Sequence, residues 1–101
     1  MQTITLLGNL TSDAEVKSGN DNSEYIAFRV ACNEGNGDSK TTSYYDVTCR
    51  KSGILDYLKS GQKVAVQGKL RASARLSDKG EVFLNLNVSA FMVELAGSAK
   101  N

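Results

Sequence analysis

Hydrophobic and polar residues alternate with a period of two in five segments of this chain. Such alternation is typical of β-strands that bury one face, and it predicts strands over about residues 2–10, 24–33, 43–50, 62–74 and 81–93. The positions assigned to the buried face are Ile4, Leu6, Gly8 and Leu10; Ile26, Phe28, Val30 and Cys32; Tyr45, Val47 and Cys49; Val64, Val66, Gly68 and Leu70; and Val82, Leu84, Leu86 and Val88.

A short helical signal lies between the third and fourth predicted strands, in SGILDYLKSG at residues 52–61. Ser52 is a suitable N-cap, Ile54 and Leu58 are four residues apart, and Gly61 stands where a helix C-cap is expected. The segment allows about two turns of helix, which are too short to be stable alone. We therefore expect it to pack against the sheet.

Gly8 interrupts the first predicted strand, within ITLLGNLTSDAEV at residues 4–16. A hairpin turn would explain a Gly-Asn pair, but few apolar residues follow to form a second strand. Gly68 takes the matching place in the fourth strand, which favours a sharp bend or the close approach of another backbone. These features predict an all-β fold, a small closed five-stranded barrel with one short helix between strands three and four.

Polar segments separate the strands: KSGNDNS at 17–23, EGNGDSKTT at 34–42 and LSDKG at 76–80, the last being a good hairpin signal. The chain of 101 residues contains no proline, repeat or linker. We expect a single domain over residues 1–96 and a short C-terminal tail over 97–101.

Composition excludes most catalytic chemistry. The chain has no histidine, which removes the commonest general base and metal ligand, and it has two cysteines, too few for a zinc site. Cys32 and Cys49 are interpreted as buried thiols, and a redox pair would need their strands to be neighbours in register. We expect no enzyme activity, no metal and no cofactor.

The apolar runs, the N-terminus and the net charge indicate the location and the partner of the chain less strongly. No apolar run approaches the length needed to cross a membrane, and the N-terminus lacks an export signal, so a cytoplasmic location and no membrane partner are expected. The net charge of +1 argues mildly against a nucleic-acid partner. The distribution of charge matters more than the sum.

Four stretches, in one order and at nearly constant spacing, resemble a known family. They are ITLLGNLTSDAEV at 4–16, AFRVACNE at 27–34, YLKSGQKVAVQGKL at 57–70 and DKGEVFLNLNV at 78–88. In these stretches the chain resembles the bacterial single-stranded DNA-binding proteins, which are OB-fold barrels. The resemblance implies sequence-independent binding and protection of single-stranded DNA in replication, repair or recombination, in a cytoplasmic, nucleoid-associated protein that is not an enzyme.

The outward positions of the predicted strands supply the candidate binding residues. Phosphates require cations and bases require flat groups on which to stack, and an Arg guanidinium serves both. The candidates are Arg29, Tyr44, Thr48, Arg50, Lys69, Arg71, Arg75 and Phe83. The plainer alternative is that Lys and Arg merely keep the sheet surface hydrated, and a subunit interface would explain Phe83 and Phe91 as well as a base would.

Several positions depart from the family pattern. Tyr44 stands where the family usually has Trp, Arg50 and Arg75 stand where it usually has aromatic residues, Asp46 stands at a commonly basic position, and Ala14 replaces a proline. Asp46, the loss of the tryptophans and the missing acidic tail favour a runner-up function, a primosome-type or paralogous OB module that acts mainly through protein contacts and binds DNA weakly.

The resemblance also bears on partners. It implies self-association, as a homotetramer or alternatively a homodimer, and the outward Thr3, Thr5 and Leu7 of the first strand suit such pairing. Family members commonly continue into a flexible tail with an acidic tip, whereas this sequence ends in ELAGSAKN. Partners recruited by an acidic tail are therefore not expected.

Overall fold

The computed structural model describes residues 2–34 and 41–97. Its elements are the strands β1 (Thr3–Leu10), β2 (Glu15–Ser18), β3 (Glu24–Glu34) and β4 (Thr41–Arg50), a 3-10 helix (Gly53–Tyr57), and the strands β5 (Lys63–Leu76) and β6 (Val82–Leu95). All five predicted strands are present, each with bounds within two residues of the prediction. Most of the predicted 34–42 loop, residues 35–40, lies outside the described residues.

The strands form one sheet that closes on itself. The hydrogen-bonded order is β1-β5-β6-β4-β3-β2, and β1 also pairs with β3 through Asn9 with Ala31 and Leu10 with Val30. This extra pairing makes a ring of the five long strands. All pairings are antiparallel except that of β4 with β6. The closed five-stranded barrel that alternation and the two glycines predict is therefore present.

The core lies inside this ring and follows the predicted alternation. The buried apolar side chains are Leu6, Leu10, Ile26, Phe28, Val30, Cys32, Val47, Leu58, Val64, Val66 and Val88. Each strand of the ring contributes to this list, because every second residue of a strand points to the same side of the sheet. Burying a Val, Leu, Ile or Phe side chain contributes about 1.5–3 kcal/mol, so the alternation largely determines which side of the sheet turns inward.

Gly8 and Gly68 lie where two backbones approach each other closely. A Cβ built on Gly8 would lie 2.5 Å from the carbonyl oxygen of Ala31, and one on Gly68 would lie 2.7 Å from the Cα of Ala90 and overlap the Ser89 carbonyl. The register of β5 and β6 also shifts at Gln67/Gly68, as in a β-bulge. Gly8 therefore marks a close approach inside a long strand and not a hairpin turn.

The segment after β4 differs from the predicted helix. It forms a 3-10 helix of five residues, and the Ser52 side chain makes no capping hydrogen bond. Leu58 at its end is fully buried, so the segment does pack against the core as expected. Gly61 has a positive φ of 85°, but it lies in the turn beyond the helix, where its N–H donates to the carbonyl of Leu10. No helix among residues 2–34 and 41–97 is long and apolar enough to cross a membrane.

The sequence pattern does not predict the strand β2. It pairs with β3 from Glu15–Ala27 to Ser18–Glu24, outside the closed ring. All of its side chains are exposed, so it lacks the alternation that identifies a half-buried strand.

The far ends of β5 and β6 extend beyond the ring as a two-stranded ribbon, residues 70–86. The β4 strand pairs with β6 only at residues 87–89, and β1 pairs with β5 only up to Lys69. Leu76, Val82 and Leu84 are consequently 70%, 69% and 64% exposed. The prediction that Val82 and Leu84 belong to the core was wrong, because no further strand covers that side of the ribbon.

The two cysteines do not form a redox pair. Their strands are neighbours, but Cys32 is opposite Ser43 and Cys49 is opposite Ile26. Neither cysteine is in a disulfide; Cys32 is buried and Cys49 is half-buried. The interpretation as buried thiols holds fully for Cys32 and partly for Cys49.

The close approaches at the glycines give a test of the barrel. We expect Gly8→Ala and Gly68→Ala each to lower the free energy of unfolding by about 1–3 kcal/mol or more, since the methyl group would displace a neighbouring backbone. Gly53→Ala is the control, because a Cβ there meets nothing within 4 Å. Urea unfolding of the three variants measures the difference. Equal stability of Gly68→Ala and Gly53→Ala would contradict the close approach.

Candidate nucleic-acid interface

The outer surface of β3, β4, β6 and β5 carries two rows of side chains that run across the strands. Both rows follow from the strand register, which aligns residues far apart in the sequence. The first row is Arg29, Asp46, Asn87 and Arg71, and the second is Ala27, Thr48, Ser89 and Lys69. We call this surface the polar face.

The polar face points away from the core. Phe28, Val47 and Val88, which alternate with the two rows, are buried, so the rows lie on the opposite side of the sheet. Arg29, Lys69 and Arg71 are exposed, and Thr48 is half-buried between its neighbours. The arrangement places two cations from β5 beside polar groups from β4 and β6.

Three shallow clefts divide the polar face and its margins. We name each cleft after one or two of the cations that line it. The Lys69–Arg71 cleft is lined by Gln2, Asp46, Thr48, Lys69, Leu70, Arg71, Asn87, Val88 and Ser89. The Arg50 cleft is lined by Tyr25, Thr48, Cys49, Arg50, Ser89 and Ala90. The Arg29 cleft is lined by Ser12, Asp13, Glu15, Lys17, Tyr25, Ala27, Phe28, Arg29, Asp46, Val47 and Thr48.

The clefts differ in charge. The Lys69–Arg71 cleft and the Arg50 cleft share Thr48 and Ser89, so together they form one continuous surface with an excess of cations. The Arg29 cleft has more carboxylates than cations, through Asp13, Glu15 and Asp46. A near-neutral chain therefore presents a basic half-face beside an acidic one.

Arg29 and Asp46 form an ion pair in the first row. The Arg29 Nε donates to the Asp46 Oδ1 at 2.9 Å, and both side chains are about half exposed. This hydrogen bond raises the pKa of the Arg29 guanidinium further above its ordinary value, so the group stays charged. An exposed pair of this kind contributes little to stability, about 0–1 kcal/mol.

Tyr44 lies on the same side of β4, two residues before Asp46. It pairs with Ala31 of β3 and is 55% exposed. The adjacent Tyr45 packs against the core cluster. The alternation predicts that only one of these tyrosines belongs to the core, and the burial pattern agrees.

Arg75 and Phe83 pair across the ribbon. The guanidinium carbon of Arg75 lies 5.5 Å from the centroid of the Phe83 ring, within the range of a cation–π interaction. Arg75 is four residues beyond Arg71 on the same side of β5, or about 13 Å along the strand. The pair forms a flat, charged platform that continues the line of the basic half-face.

The structure distributes the candidate residues over three places. Thr48, Lys69 and Arg71 line one cleft and Arg50 lines the adjoining one. Arg29 and Tyr44 lie on the flank towards β3. Arg75 and Phe83 lie on the ribbon, so the candidates share one side of the sheet but not a single pocket.

Sequence reasoning missed three polar groups that line the Lys69–Arg71 cleft, namely Gln2, Asn87 and Ser89. Asn87 and Ser89 alternate with the core positions of the last strand, which is a signal that they face outward. Nothing in their residue type separates them from other surface polar groups. Among the residues that the structure describes, no three His, Cys, Asp or Glu side chains lie together as a metal site would require.

A comparison with known families decides the relationship. Residues 1–96 match the model of the single-strand binding protein family. The chain belongs to this family. This family therefore includes a member that lacks tryptophan altogether and carries Asp46 in the middle of its polar face.

Two individual proteins are similar to this family member. A single-stranded DNA-binding protein of Treponema pallidum (strain Nichols) is 33% identical over 102 residues, covering 94% of this chain and 57% of that protein. The chain thus spans little more than half the length of that relative. The crystal structure of the small single-stranded DNA-binding protein from Streptomyces coelicolor superposes with a TM-score of 0.75 at 18% identity and 94% coverage of each chain. The OB-fold prediction is confirmed.

Cys49 lines the Arg50 cleft and also packs against the core cluster. Desolvation raises the pKa of its thiol, so its reactive thiolate is scarcer near neutral pH than in the unfolded chain. We expect iodoacetamide to alkylate Cys49 slowly in the folded protein and faster as pH rises through the raised pKa. Peptide mass spectrometry measures the rate. A folded-state rate at neutral pH equal to that of the urea-unfolded chain would contradict this placement.

Proposed function

We propose that this chain binds single-stranded DNA without sequence preference. The observation that carries the proposal is the continuous cationic surface formed by the Arg50 and Lys69–Arg71 clefts on one side of an OB barrel. Membership of the single-strand binding protein family and the printed name of the Treponema relative support it. In this role the chain is a binding protein and not an enzyme.

The phosphates interact with Arg50, Lys69 and Arg71. These side chains extend into open clefts, so they stay hydrated and bind by exchanging counterions, as cations do along a polynucleotide. Thr48, Asn87 and Ser89 line the same surface and offer hydroxyl and amide groups to phosphate or sugar oxygens. None of these contacts depends on base identity, which accounts for binding without sequence preference.

The bases stack on the flat groups at the margins. Tyr44 offers an exposed phenol ring at the β3 side, and the Arg75–Phe83 pair offers a guanidinium and a ring on the ribbon. Each base stacked on an aromatic side chain contributes about 1–3 kcal/mol and tolerates any base. With no tryptophan in the chain, stacking is weaker and the electrostatic part of the affinity is correspondingly larger.

Self-association involves the outer surface of β1 and its neighbours. Leu7, Met92 and Phe91 are exposed there, and the register sets Thr5 beside Gln67 and Gln67 beside Met92. This surface carries few charges and suits a second copy of the chain. A homotetramer, or alternatively a homodimer, would protect DNA strands during replication, repair or recombination in the cytoplasm at the nucleoid, with residues 1–96 as the domain and 97–101 as its tail.

A second candidate function has one observation in its favour. The ribbon exposes an apolar side that includes Leu76, Val82 and Leu84, which suits a protein contact. An OB accessory module that acts through such contacts and binds DNA only weakly would use this side of the ribbon.

Titration of labelled oligo-dT at several salt concentrations tests the main proposal. We expect saturable binding whose affinity falls steeply with salt. If Arg50, Lys69 and Arg71 each neutralise one phosphate, log K should fall against log salt with a slope of about −2. Absence of binding even at low salt would reject the proposal and favour the accessory module.

Two substitutions test the stacking groups. We expect Tyr44→Ala and Arg75→Ala each to weaken oligo-dT binding about fivefold to a hundredfold, as the loss of one stacked base predicts. Their melting temperatures should stay close to that of the unchanged protein, because both side chains are exposed.

Tyr57→Ala and Lys59→Ala are the matched controls for the loss of a phenol and of a cation. Both residues are exposed and line a separate cleft at the end of the barrel, with Asn9 and Gly97. These controls should bind normally. If Tyr44→Ala and Arg75→Ala also bind normally, the polar face is not where the bases lie.

A further inference from the structure

Asp46 is the only carboxylate in the two rows of the polar face, and it stands at a boundary. Its side chain lines both the Lys69–Arg71 cleft and the Arg29 cleft. Its register partners are Arg29 on β3 and Asn87 on β6, and Asn87 in turn pairs with Arg71. A polynucleotide lying across the first row would therefore pass over an anion between two cations.

Arg29 differs from the other cations of the polar face in having an ion-pair partner. Its Nε is bound to the Asp46 Oδ1 at 2.9 Å. Neither Lys69 nor Arg71 has an ion-pair partner among the residues that the structure describes. A phosphate can therefore approach Lys69 and Arg71 directly, whereas at Arg29 it must compete with a carboxylate already in place.

We propose that the Asp46 carboxylate sets one edge of the path along which the single strand binds, by repelling phosphates. It holds Arg29 away from phosphate and repels the phosphates from the Arg29 cleft, so that the DNA backbone stays over the Arg50 and Lys69–Arg71 clefts while a base reaches Tyr44 at the margin. This inference rests on the proposed function. It also reassigns Arg29, a sequence-predicted binding residue, to the border of the site.

The surroundings of Asp46 strengthen this edge. Beyond the ion pair, the Arg29 cleft continues to Asp13 and Glu15, two further carboxylates with only Lys17 to oppose them. Removing Asp46 alone leaves these carboxylates in place. The expected effect is therefore one additional phosphate contact at Arg29, not a second path across the whole cleft.

Five variants test the inference: Asp46→Asn, Arg29→Ala, the double variant, Arg71→Ala for comparison, and Asp56→Asn as a control. Asp56→Asn removes the same charge from an exposed residue of the 3-10 helix, which lines the separate cleft at the end of the barrel. Oligo-dT affinity and its salt slope are measured for each variant and for the unchanged chain. Melting temperatures confirm folding, and they should change little because the ion pair is half exposed.

We expect Asp46→Asn to bind oligo-dT about fivefold more tightly at low salt, the effect of one unit charge near a phosphate in water. Its log–log salt slope should steepen by about 0.7, the increment for one further phosphate on a single strand. Arg29→Ala leaves Asp46 unpaired, so in the unchanged background it should weaken binding about fivefold without altering the salt slope. In the Asp46→Asn background it should abolish the added slope. Asp56→Asn should behave like the unchanged chain.

Other outcomes distinguish failure of the inference about Asp46 from failure of the proposed DNA binding, the two levels of the proposal. If the unchanged chain binds with a steep salt dependence and Asp46→Asn binds identically, or gains no more than Asp56→Asn does, the inference is wrong and the proposed function remains. If Arg29→Ala alone lowers the salt slope as much as Arg71→Ala does, Arg29 contacts phosphate despite Asp46, which also overturns the inference. If neither the unchanged chain nor Asp46→Asn binds, both levels fail.

Discussion

Closure of the sheet into a ring is the constraint on which the rest of the molecule depends. The short pairing of β1 with β3 completes it, through Asn9 with Ala31 and Leu10 with Val30, and the Thr11 N–H donates to the Arg29 carbonyl beside it. Nearby, the Gly8 position lies so close to the Ala31 carbonyl that no side chain would fit. The absence of a Cβ at Gly8 and Gly68 lets the backbones approach, and the enclosed space is then filled by apolar side chains of the five ring strands.

Once the ring is closed, the polar face follows from the same alternation that builds the core. Each buried valine of β4, β5 or β6 has neighbours that point outward, and the register aligns those neighbours into rows. The side chains that we propose to hold DNA therefore need no loop to position them. Their places are fixed by the packing on the other side of the sheet. The outer side chains can therefore change with little effect on the stability of the barrel.

The long strands and most of the core could be predicted because a strand buried on one side alternates in a way that is visible locally. Three features could not. The β2 strand has no buried side, Val82 and Leu84 alternate like core residues although no strand covers them, and the Arg29–Asp46 pair joins residues 17 positions apart that only the register brings together. Each depends on where a neighbouring strand begins or ends, which local pattern does not contain.

The parallel contact between β4 and β6 also has a consequence for how the chain reaches its folded form. Asp46 to Thr48 meet Asn87 to Ser89, so this seam joins segments about forty residues apart, and β6 is the last strand of the barrel. Topologies rich in such non-local pairings have high contact order and fold slowly. A chain emerging from the ribosome would hold an incomplete, open sheet with free edges until its last strand is available, which is the interval in which it is most exposed to aggregation.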